Sequence, residues 1–198
     1  MLVYHLRMSN LSDSEKKRLF SLFDNVKQED RSVGLNRSSN SEVLIVDFMN
    51  TFIRAFMASP SLNSNGNHTG GIAGCVKSIG YVAKLINPTK IVVVSDGQGG
   101  SLKRRKIYPQ YKSGRKTKIR LNRAYEDTAT PDTEDKNLKK QLLRTVQYLD
   151  KLPVTTMAID HIEADDTIAY ITEMYEVKSK KITIVSTDRD FYQLINDK

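Results

Sequence analysis

Four short segments rich in β-branched residues, separated by segments with helical periodicity, constrain the fold of this chain more than any other feature. The segments are VLIV (43–46), IVVV (91–94), VTTMAI (154–159) and ITIV (182–185). Largely apolar runs of this kind are typical of strands buried in the middle of a parallel sheet. The helical patterns between them, at about 69–86, 134–151 and 164–176, are long enough to cross over between parallel strands. The sequence therefore predicts an α/β fold, with a parallel sheet flanked by helices.

The first 41 residues are predicted to be an extension of this domain, which then spans residues 42–198. Residues 11–24 form an amphipathic helical pattern, with Ser12 and Glu15 at the spacing of a capping box, and a polar run typical of a linker follows. No aliphatic run exceeds four residues, which predicts no membrane span and no membrane partner. The single cysteine, Cys75, fits a reducing compartment, so a cytoplasmic location is expected.

Acidic side chains follow all four predicted strands. Because the carboxyl ends of parallel strands lie at one edge of a sheet, these side chains should meet in one crevice. Two carboxylates ~4 Å apart repel by about 4 kcal/mol at an effective dielectric of about 20. Divalent cations that prefer oxygen ligands, Mg²⁺ or Mn²⁺, would offset that repulsion. The acids are Asp47, Asp96, Asp160, Glu163, Asp165, Asp166, Asp188 and Asp190.

A second interpretation of the cluster in HIEADDTIAYI stays open at this point. Acids in the first turn of a helix complement the helix dipole, and that effect alone could explain Glu163, Asp165 and Asp166. It does not explain why an acid follows each of the other three strands as well. The recurrence at all four strand ends therefore favours a metal site.

The net charge of +8 comes from one segment. Residues 101–125 contain ten lysines and arginines and no acid, so the rest of the chain is slightly acidic. Such a concentration of charge is typical of a site for a polyanion, although a run of charges can also be a solvated loop. Tyr108 and Tyr111 lie among the cations, where aromatic rings can stack on bases while Lys and Arg bind phosphates. Phosphates bound above metal ions suit the hydrolysis of phosphodiester bonds.

Four motifs, in their order and spacing, resemble those of the flap-endonuclease family of structure-specific 5′-nucleases. They are LIVDFMNTFIRAF, VVVSDGQGGSLKRRKIYPQYKSGR, HIEADDTIAYI and IVSTDRDFYQLI. Within that family the chain is similar above all to the bacteriophage ribonuclease H / 5′-3′ exonuclease branch, over about residues 42–198. The resemblance implies a PIN-like domain with two Mg²⁺ (or Mn²⁺) ions, in which residues 101–125 form a basic helical arch or mobile loop. It also implies cleavage of DNA or RNA–DNA hybrid at a 5′ end or 5′ flap, with removal of RNA primers or flaps during replication.

Matched motif by motif, the resemblance implies a role for individual residues. Arg54 would lie near the scissile phosphate, and Lys112 would stabilise the charge that develops on it. These two residues, with Glu163 and Asp188, form the implied catalytic set. The implied metal-binding acids are Asp47, Asp96, Glu163, Asp165, Asp166, Asp188 and Asp190. The implied nucleic-acid-binding residues are Lys103, Arg104, Arg105, Lys106, Tyr108, Tyr111, Lys112, Arg115 and Lys116.

Members of this family continue beyond the last motif, with further acids for the second metal ion and a helix–three-turn–helix element that contacts duplex DNA. That part is absent from the 198 residues, so either the chain is a fragment of a longer protein or a second chain, as a partner, supplies the rest. Two alternatives stay open. The chain could be a nucleic-acid-binding module that is non-catalytic or needs another chain to complete its active site, or it could be a PIN-type ribonuclease.

Overall fold

A computed structural model describes residues 42–112, 131–176 and 181–196 and confirms the predicted α/β fold. Its four strands are β1 (Glu42–Asp47), β2 (Lys90–Asp96), β3 (Thr155–Ile159) and β4 (Lys181–Val185). They form one sheet in the order β3-β2-β1-β4, and each neighbouring pair is parallel. All four predicted strands are confirmed, with small shifts at their ends.

The helices in the described part of the chain are α1 (Phe48–Ala58), α2 (Gly70–Ile86), α3 (Leu102–Ile107), α4 (Pro131–Leu149) and α5 (Ala164–Glu176), and a 3₁₀ helix (Arg189–Leu194) follows β4. Helices α2, α4 and α5 were predicted, although α4 begins and ends earlier than expected. Helix α1 and the 3₁₀ helix were not predicted, whereas α3 lies within residues 101–125, for which a helical arch or mobile loop was expected. The helix and linker expected in residues 1–41, and residues 113–125 of the expected arch, lie outside the described residues. No helix among those described is long and apolar enough to cross a membrane.

Helix α1 forms because its first turn is capped and one of its sides is strongly apolar. The Asp47 side chain accepts a hydrogen bond from the backbone N–H of Asn50, which satisfies one of the free donors at the helix start. Phe48, Phe52 and Phe56 recur every four residues and are almost completely buried. Burial of such a side chain stabilises the fold by about 1.5–3 kcal/mol. The chain therefore turns directly from β1 into a helix that packs on the sheet.

The sheet separates two apolar layers. Leu44, Val46 and Val93 point to the side covered by α1, α2 and α4. Val43, Ile45 and Val92 point to the opposite side, which α5 and Phe191 of the 3₁₀ helix cover. Because successive side chains of a strand point to opposite faces, a strand covered on both sides must be apolar throughout. The central strands β1 and β2 therefore hold the sheet rigidly beneath the residues that follow them.

Candidate functional site

The predicted acids lie where the polypeptide leaves each strand. Two are the last residues of β1 and β2, three stand at or just before the first turn of α5, and two stand at the start of the 3₁₀ helix after β4. Because the four strands are parallel, all of these positions belong to the same edge of the sheet. In chain order they are Asp47, Asp96, Glu163, Asp165, Asp166, Asp188 and Asp190. Asp160, the eighth acid predicted at a strand end, is exposed in the turn after β3, where its Oδ1 accepts a hydrogen bond from the backbone N–H of Gln98 at 3.3 Å.

Burial and repulsion between neighbouring acids raise the pKa of two of these carboxyl groups. Burial raises the pKa of Asp47 to about 7, and the charges of three other acids contribute to the rise. Burial also raises the pKa of Asp165 to about 6, with contributions from the charges of Asp96 and Asp188. The four groups therefore lie close enough for the charge on one to oppose the ionisation of another.

A hydrogen-bond network connects the start of α1 to the turn after β4. Asp47 Oδ2 accepts a hydrogen bond from Ser186 Oγ at 2.9 Å. Asn50 is buried, and its Oδ1 accepts hydrogen bonds from the backbone N–H of Thr187 at 3.1 Å and from Thr187 Oγ1 at 2.8 Å. Asp188 is the next residue along the chain. Asn50 therefore fixes the position of Asp188 relative to Asp47.

The oxygens of the other acids differ in what they bind. Asp96 Oδ1 accepts a hydrogen bond from the backbone N–H of Ala164 at 2.7 Å, which joins the end of β2 to the start of α5. Asp188 Oδ1 accepts one from the backbone N–H of Asp190 at 3.0 Å. Asp188 Oδ2 is buried and has no hydrogen-bond partner among the described residues. A buried carboxylate oxygen without a donor is costly, and a bound cation would satisfy it.

Glycines after β2 bring the basic segment against the acids. A Cβ atom on Gly97 would lie 1.6 Å from the carbonyl oxygen of Ile159, so only glycine fits there. The loop contacts the turn before α5 through hydrogen bonds from Gly97 N to Ile162 O at 3.1 Å and from His161 N to Gln98 O at 2.8 Å. This close approach places α3, which begins soon after the loop, next to the acids.

Glu163 is the point where the acids and the basic segment meet. The Glu163 side chain is 2% exposed, and its Oε1 accepts a hydrogen bond from Lys112 Nζ at 2.6 Å. Its Oε2 accepts hydrogen bonds from Arg104 Nη1 and from Tyr111 Oη, the latter at 3.0 Å. Arg104 also pairs with Asp166 at 2.6 Å. Two of the cations that were predicted to contact nucleic acid, Arg104 and Lys112, are therefore paired with acids in this structure, and contacts of the basic segment with nucleic acid stay predictions.

Lys112 has an unusual backbone conformation in this ion-paired structure. Its φ of 60° lies in the left-handed region, which a residue with a Cβ atom adopts at an energetic cost. Its ammonium group also lies 5.0 Å from the centre of the Tyr111 ring, where the face of the ring attracts a cation. Arg104 lies over the same ring at 5.7 Å. Tyr111 therefore supports the two cations that neutralise Glu163, and its ring is not an open stacking surface here.

The acids suit a hard divalent cation chemically, but they do not form a finished metal site. Across residues 42–112, 131–176 and 181–196, no three acidic, histidine or cysteine side chains are arranged to hold a metal ion as they stand. Seven of the fourteen carboxylate oxygens of these acids accept hydrogen bonds from donors of the protein itself. A metal ion at this edge would replace those donors, first at Glu163. Asp188 Oδ2 has no donor among the described residues, so an ion could bind it without replacing one.

The remaining predicted residues lie on the surface around the acids or outside the described ranges. Arg54 is exposed on α1 and lines a cavity of about 360 Å³ together with Asn50, Ser186 and Thr187. The other described cations of the segment and Tyr108 are exposed and face solvent. These exposed residues are Lys103, Arg105, Lys106 and Tyr108. Arg115 and Lys116 lie outside the described residues.

Two kinds of residue at the site were missed by the sequence analysis. Asn50 was not proposed as a site residue, although its position three residues after Asp47 is that of a partner in a helix cap. Ser186 and Thr187 belong to the motif IVSTDRDFYQLI but were given no role. Their hydrogen bonds to Asp47 and Asn50 join parts of the chain far apart in sequence, and no local pattern reveals such pairs.

The chain resembles several known proteins along most of its length. It is 28% identical over 165 residues to a 5′-3′ exonuclease of Buchnera aphidicola subsp. Acyrthosiphon pisum, an alignment that covers 82% of this chain and 52% of that protein. It is 31% identical over 160 residues to the flap endonuclease Xni of Psychromonas ingrahamii, covering 79% of this chain and 54% of that protein. The chain therefore spans about half the length of the curated relatives it matches.

A solved structure and a family model agree with these relatives. The T5 D15 protein, co-crystallised with metal ions, superposes with a TM-score of 0.56 at 25% identity, covering 79% of this chain and 52% of that one. The family model described as "5′-3′ exonuclease, N-terminal resolvase-like domain" matches residues 42–198. The fold is therefore that of the PIN-like flap endonucleases, and the chain belongs to the family of 5′-3′ exonuclease N-terminal, resolvase-like domains.

Proposed function

We propose that this chain is the nuclease portion of a structure-specific 5′-3′ exonuclease or flap endonuclease, which removes RNA primers or 5′ flaps during DNA replication. The observation that carries the proposal is the meeting of Asp47, Asp96, Asp165 and Asp188 at one edge of the sheet, where a buried oxygen of Asp188 has no hydrogen-bond partner in the described part of the chain. Membership of a nuclease family supports the same reaction class.

Two Mg²⁺ or Mn²⁺ ions are proposed as cofactors, and the T5 D15 protein that was co-crystallised with metal ions supports this choice. Glu163, Asp165 and Asp188 would hold the first ion directly. The remaining acids would hold the second ion or orient water around either one. When bound, such ions activate a water molecule and stabilise charge in the displacement at phosphorus. The remaining acids are Asp47, Asp96, Asp166 and Asp190.

The side chains around the acids would bind and orient the phosphodiester. Lys112 and Arg104 are the cations nearest to the acids, and once released from Glu163 each can donate hydrogen bonds to a phosphate oxygen. Lys112 is therefore proposed to stabilise the negative charge that develops on the scissile phosphate. Arg54, on the rim formed by α1, would contact the same phosphate or its neighbour. Lys103, Arg105, Lys106 and Tyr108 would hold the strand as it approaches, together with Arg115 and Lys116.

A second candidate is a module that needs a partner chain to complete its active site. The specific observation in its favour is that Arg104 and Lys112 occupy both carboxylate oxygens of Glu163. The absence of a finished metal site in the described residues agrees with it as well. In that case this chain would bind DNA and one metal ion but would cleave only in the presence of a partner chain.

Cleavage of a 5′-labelled flap substrate in Mg²⁺ separates these functions. We expect cleavage near the base of the flap, and the double substitution of Asp165 and Asp188 by Asn should abolish it. The matched control is the double substitution of Asp135 and Asp150 by Asn. These two acids pair with Lys139 and Lys151, away from the candidate site, and this variant should cleave like the parent. Binding without cleavage by the parent would favour the partner-dependent module. Cleavage of unstructured single-stranded RNA in preference to the flap would favour a PIN-type ribonuclease.

A further inference from the structure

A second cavity, of about 490 Å³, lies between α4 and the segment that leads into α2. None of the predicted metal, catalytic or nucleic-acid-binding residues lines it. Its volume falls within the range of about 300–1,000 Å³ that is usual for pockets that bind small ligands. It is therefore large enough for one nucleotide or a molecule of similar size.

The floor of this cavity is held in place by hydrogen bonds within the protein. Gln141 is buried, and its Oε1 accepts hydrogen bonds from the backbone N–H groups of Gly71 at 2.8 Å and Ile72 at 3.2 Å. Its Nε2 donates to the carbonyl oxygen of His68 at 2.7 Å, and Asn137 donates to the same oxygen at 3.3 Å. These amide groups already have partners, so the cavity has a fixed shape.

Glu134 is a buried acidic residue among those that line the cavity. The residue is 4% exposed, and its Oε2 has no hydrogen-bond partner among the described residues. A buried carboxylate is stable only when donors or cations reach it. A ligand in this cavity that carries N–H groups would supply the missing donors.

Three cations border the same cavity on one side of α4. Lys136, Lys140 and Arg144 are four residues apart, so they lie above one another on the helix surface, and all three are exposed. A metal cation attracted by Glu134 would be repelled by these side chains. A free phosphate would pair with the cations but would leave Glu134 without a donor. A nucleotide carries both parts that the cavity calls for, because its base has N–H donors and its phosphates are anionic.

We propose that this cavity binds one unpaired nucleotide of a single strand, outside the candidate metal centre. Glu134 accepts hydrogen bonds from the base, while Lys136, Lys140 and Arg144 hold the phosphates on either side. Guanine fits best, because its pairing edge presents two adjacent N–H donors to the two carboxylate oxygens. The proposal rests on the proposed function only in that the chain binds nucleic acid, since this cavity takes no part in hydrolysis.

The test uses the full chain and two tetranucleotides, TTGT and TTTT, that differ in one base. Titration of the ¹⁵N-labelled protein should shift the backbone amide signals of Gly66, Asn67 and His68, which line the cavity. We expect TTGT to bind about tenfold more tightly than TTTT, the scale of one well-placed two-bond contact to a base. Glu134→Gln should abolish this preference and leave the melting temperature unchanged or higher, since it removes an unpaired buried charge.

The cations are tested with a matched pair of double variants. Lys136→Ala with Lys140→Ala should lower the dependence of log Kd on log salt by about 1.4, or about 0.7 for each lost phosphate contact. Lys77→Ala with Lys84→Ala removes two exposed lysines from α2 and should leave the dependence unchanged. Any of three results would overturn the proposal. These are an equal decrease in salt dependence for both double variants, an unchanged preference for TTGT in Glu134→Gln, and amide-signal shifts confined to residues 103–112. Loss of flap cleavage in a separate assay would not affect these readouts, so failure of this site and failure of the nuclease function are distinguishable.

Discussion

Replacement of Asp165 by Asn should stabilise the metal-free protein at pH 8. The substitution removes one negative charge from the group of acids at almost unchanged side-chain volume. The pKa of Asp165 is raised to about 6, first by burial and then by the charges of Asp96 and Asp188, so its ionised form is unfavourable in the folded state. An Asn side chain at this position avoids that cost.

The size of the effect follows from the pKa. The difference between the ordinary value of 3.8 and about 6 corresponds to about 3 kcal/mol when the group is fully ionised. Asp165 is only partly buried, and water screens part of the repulsion, so we expect a gain of about 1–1.5 kcal/mol. Between the two pKa values the folded protein holds a proton that the unfolded chain has lost, and parent stability therefore falls as the pH rises through this window. The gain from the substitution should shrink to about a third at pH 4.5 and vanish below pH 3.8.

Urea unfolding at pH 8 and pH 4.5 in the presence of EDTA measures this gain. Asp166→Asn is the matched control, because Asp166 occupies the same helical turn but is half exposed and pairs with Arg104. Its loss should lower the free energy of unfolding by up to about 1 kcal/mol, since both the ion pair and the contribution to the helix dipole disappear. The two neighbouring substitutions are thus expected to have opposite signs.

A loss of stability in both variants at pH 8 would refute this reasoning, because it would mean that the acids only decorate the start of α5. A gain for Asp165→Asn of equal size at both pH values would also refute it, since the effect would not come from ionisation. Addition of Mg²⁺ gives a further check that follows from the proposed function. Mg²⁺ should raise the unfolding free energy of the parent and have a much smaller effect on the Asp165→Asn variant.

Three further predictions concern contacts that hold the second cavity and the candidate metal site in place. Gln141→Ala should lower the free energy of unfolding, measured by urea titration, by about 3 kcal/mol, because it leaves buried backbone groups at the start of α2 unpaired. Gln147→Ala, which is also on α4, should change that free energy by less than about 0.5 kcal/mol. Asn50→Ala should cost about 1–2 kcal/mol and should weaken Mn²⁺ binding measured by calorimetry, while unchanged affinity would exclude a positioning role. Gly97→Ala should destabilise the protein severely, since the new Cβ atom would overlap the carbonyl oxygen of Ile159, and a thermal melt within about 2 °C of the parent's would contradict this account.

The sequence was sufficient to predict the sheet but not all of its helices. The four strands were predicted correctly because β1 and β2 are covered on both faces and so read as unbroken apolar runs. Helix α1 was missed because it follows β1 without an intervening turn, so its apolar side merges with the end of the strand. Asp47 was interpreted only as an acid at a strand end, whereas it also caps this helix.

The positions of the acids could be predicted, but the bonds of each one could not. Parallel topology alone brings the strand ends together, and topology can be inferred from the order of strands and helices. The pairing of Glu163 with Arg104 and Lys112 depends instead on how closely the loop after β2 approaches the turn before α5. That distance is set by tertiary packing around Gly97, which a one-dimensional pattern does not contain.

The strand order has a consequence for how the chain folds. Strand β1 lies between β2 and β4, and its Val43 pairs with Ile182, almost the whole length of the domain away. Pairing between such distant residues is slow, because a long loop must close before any contact is gained. Until β4 arrives, one edge of the apolar strand β1 remains open to other chains, which makes a partly synthesised or truncated form prone to aggregate. The same late step carries Asp188 to the edge of the sheet, so the acid group is assembled only when the sheet is closed.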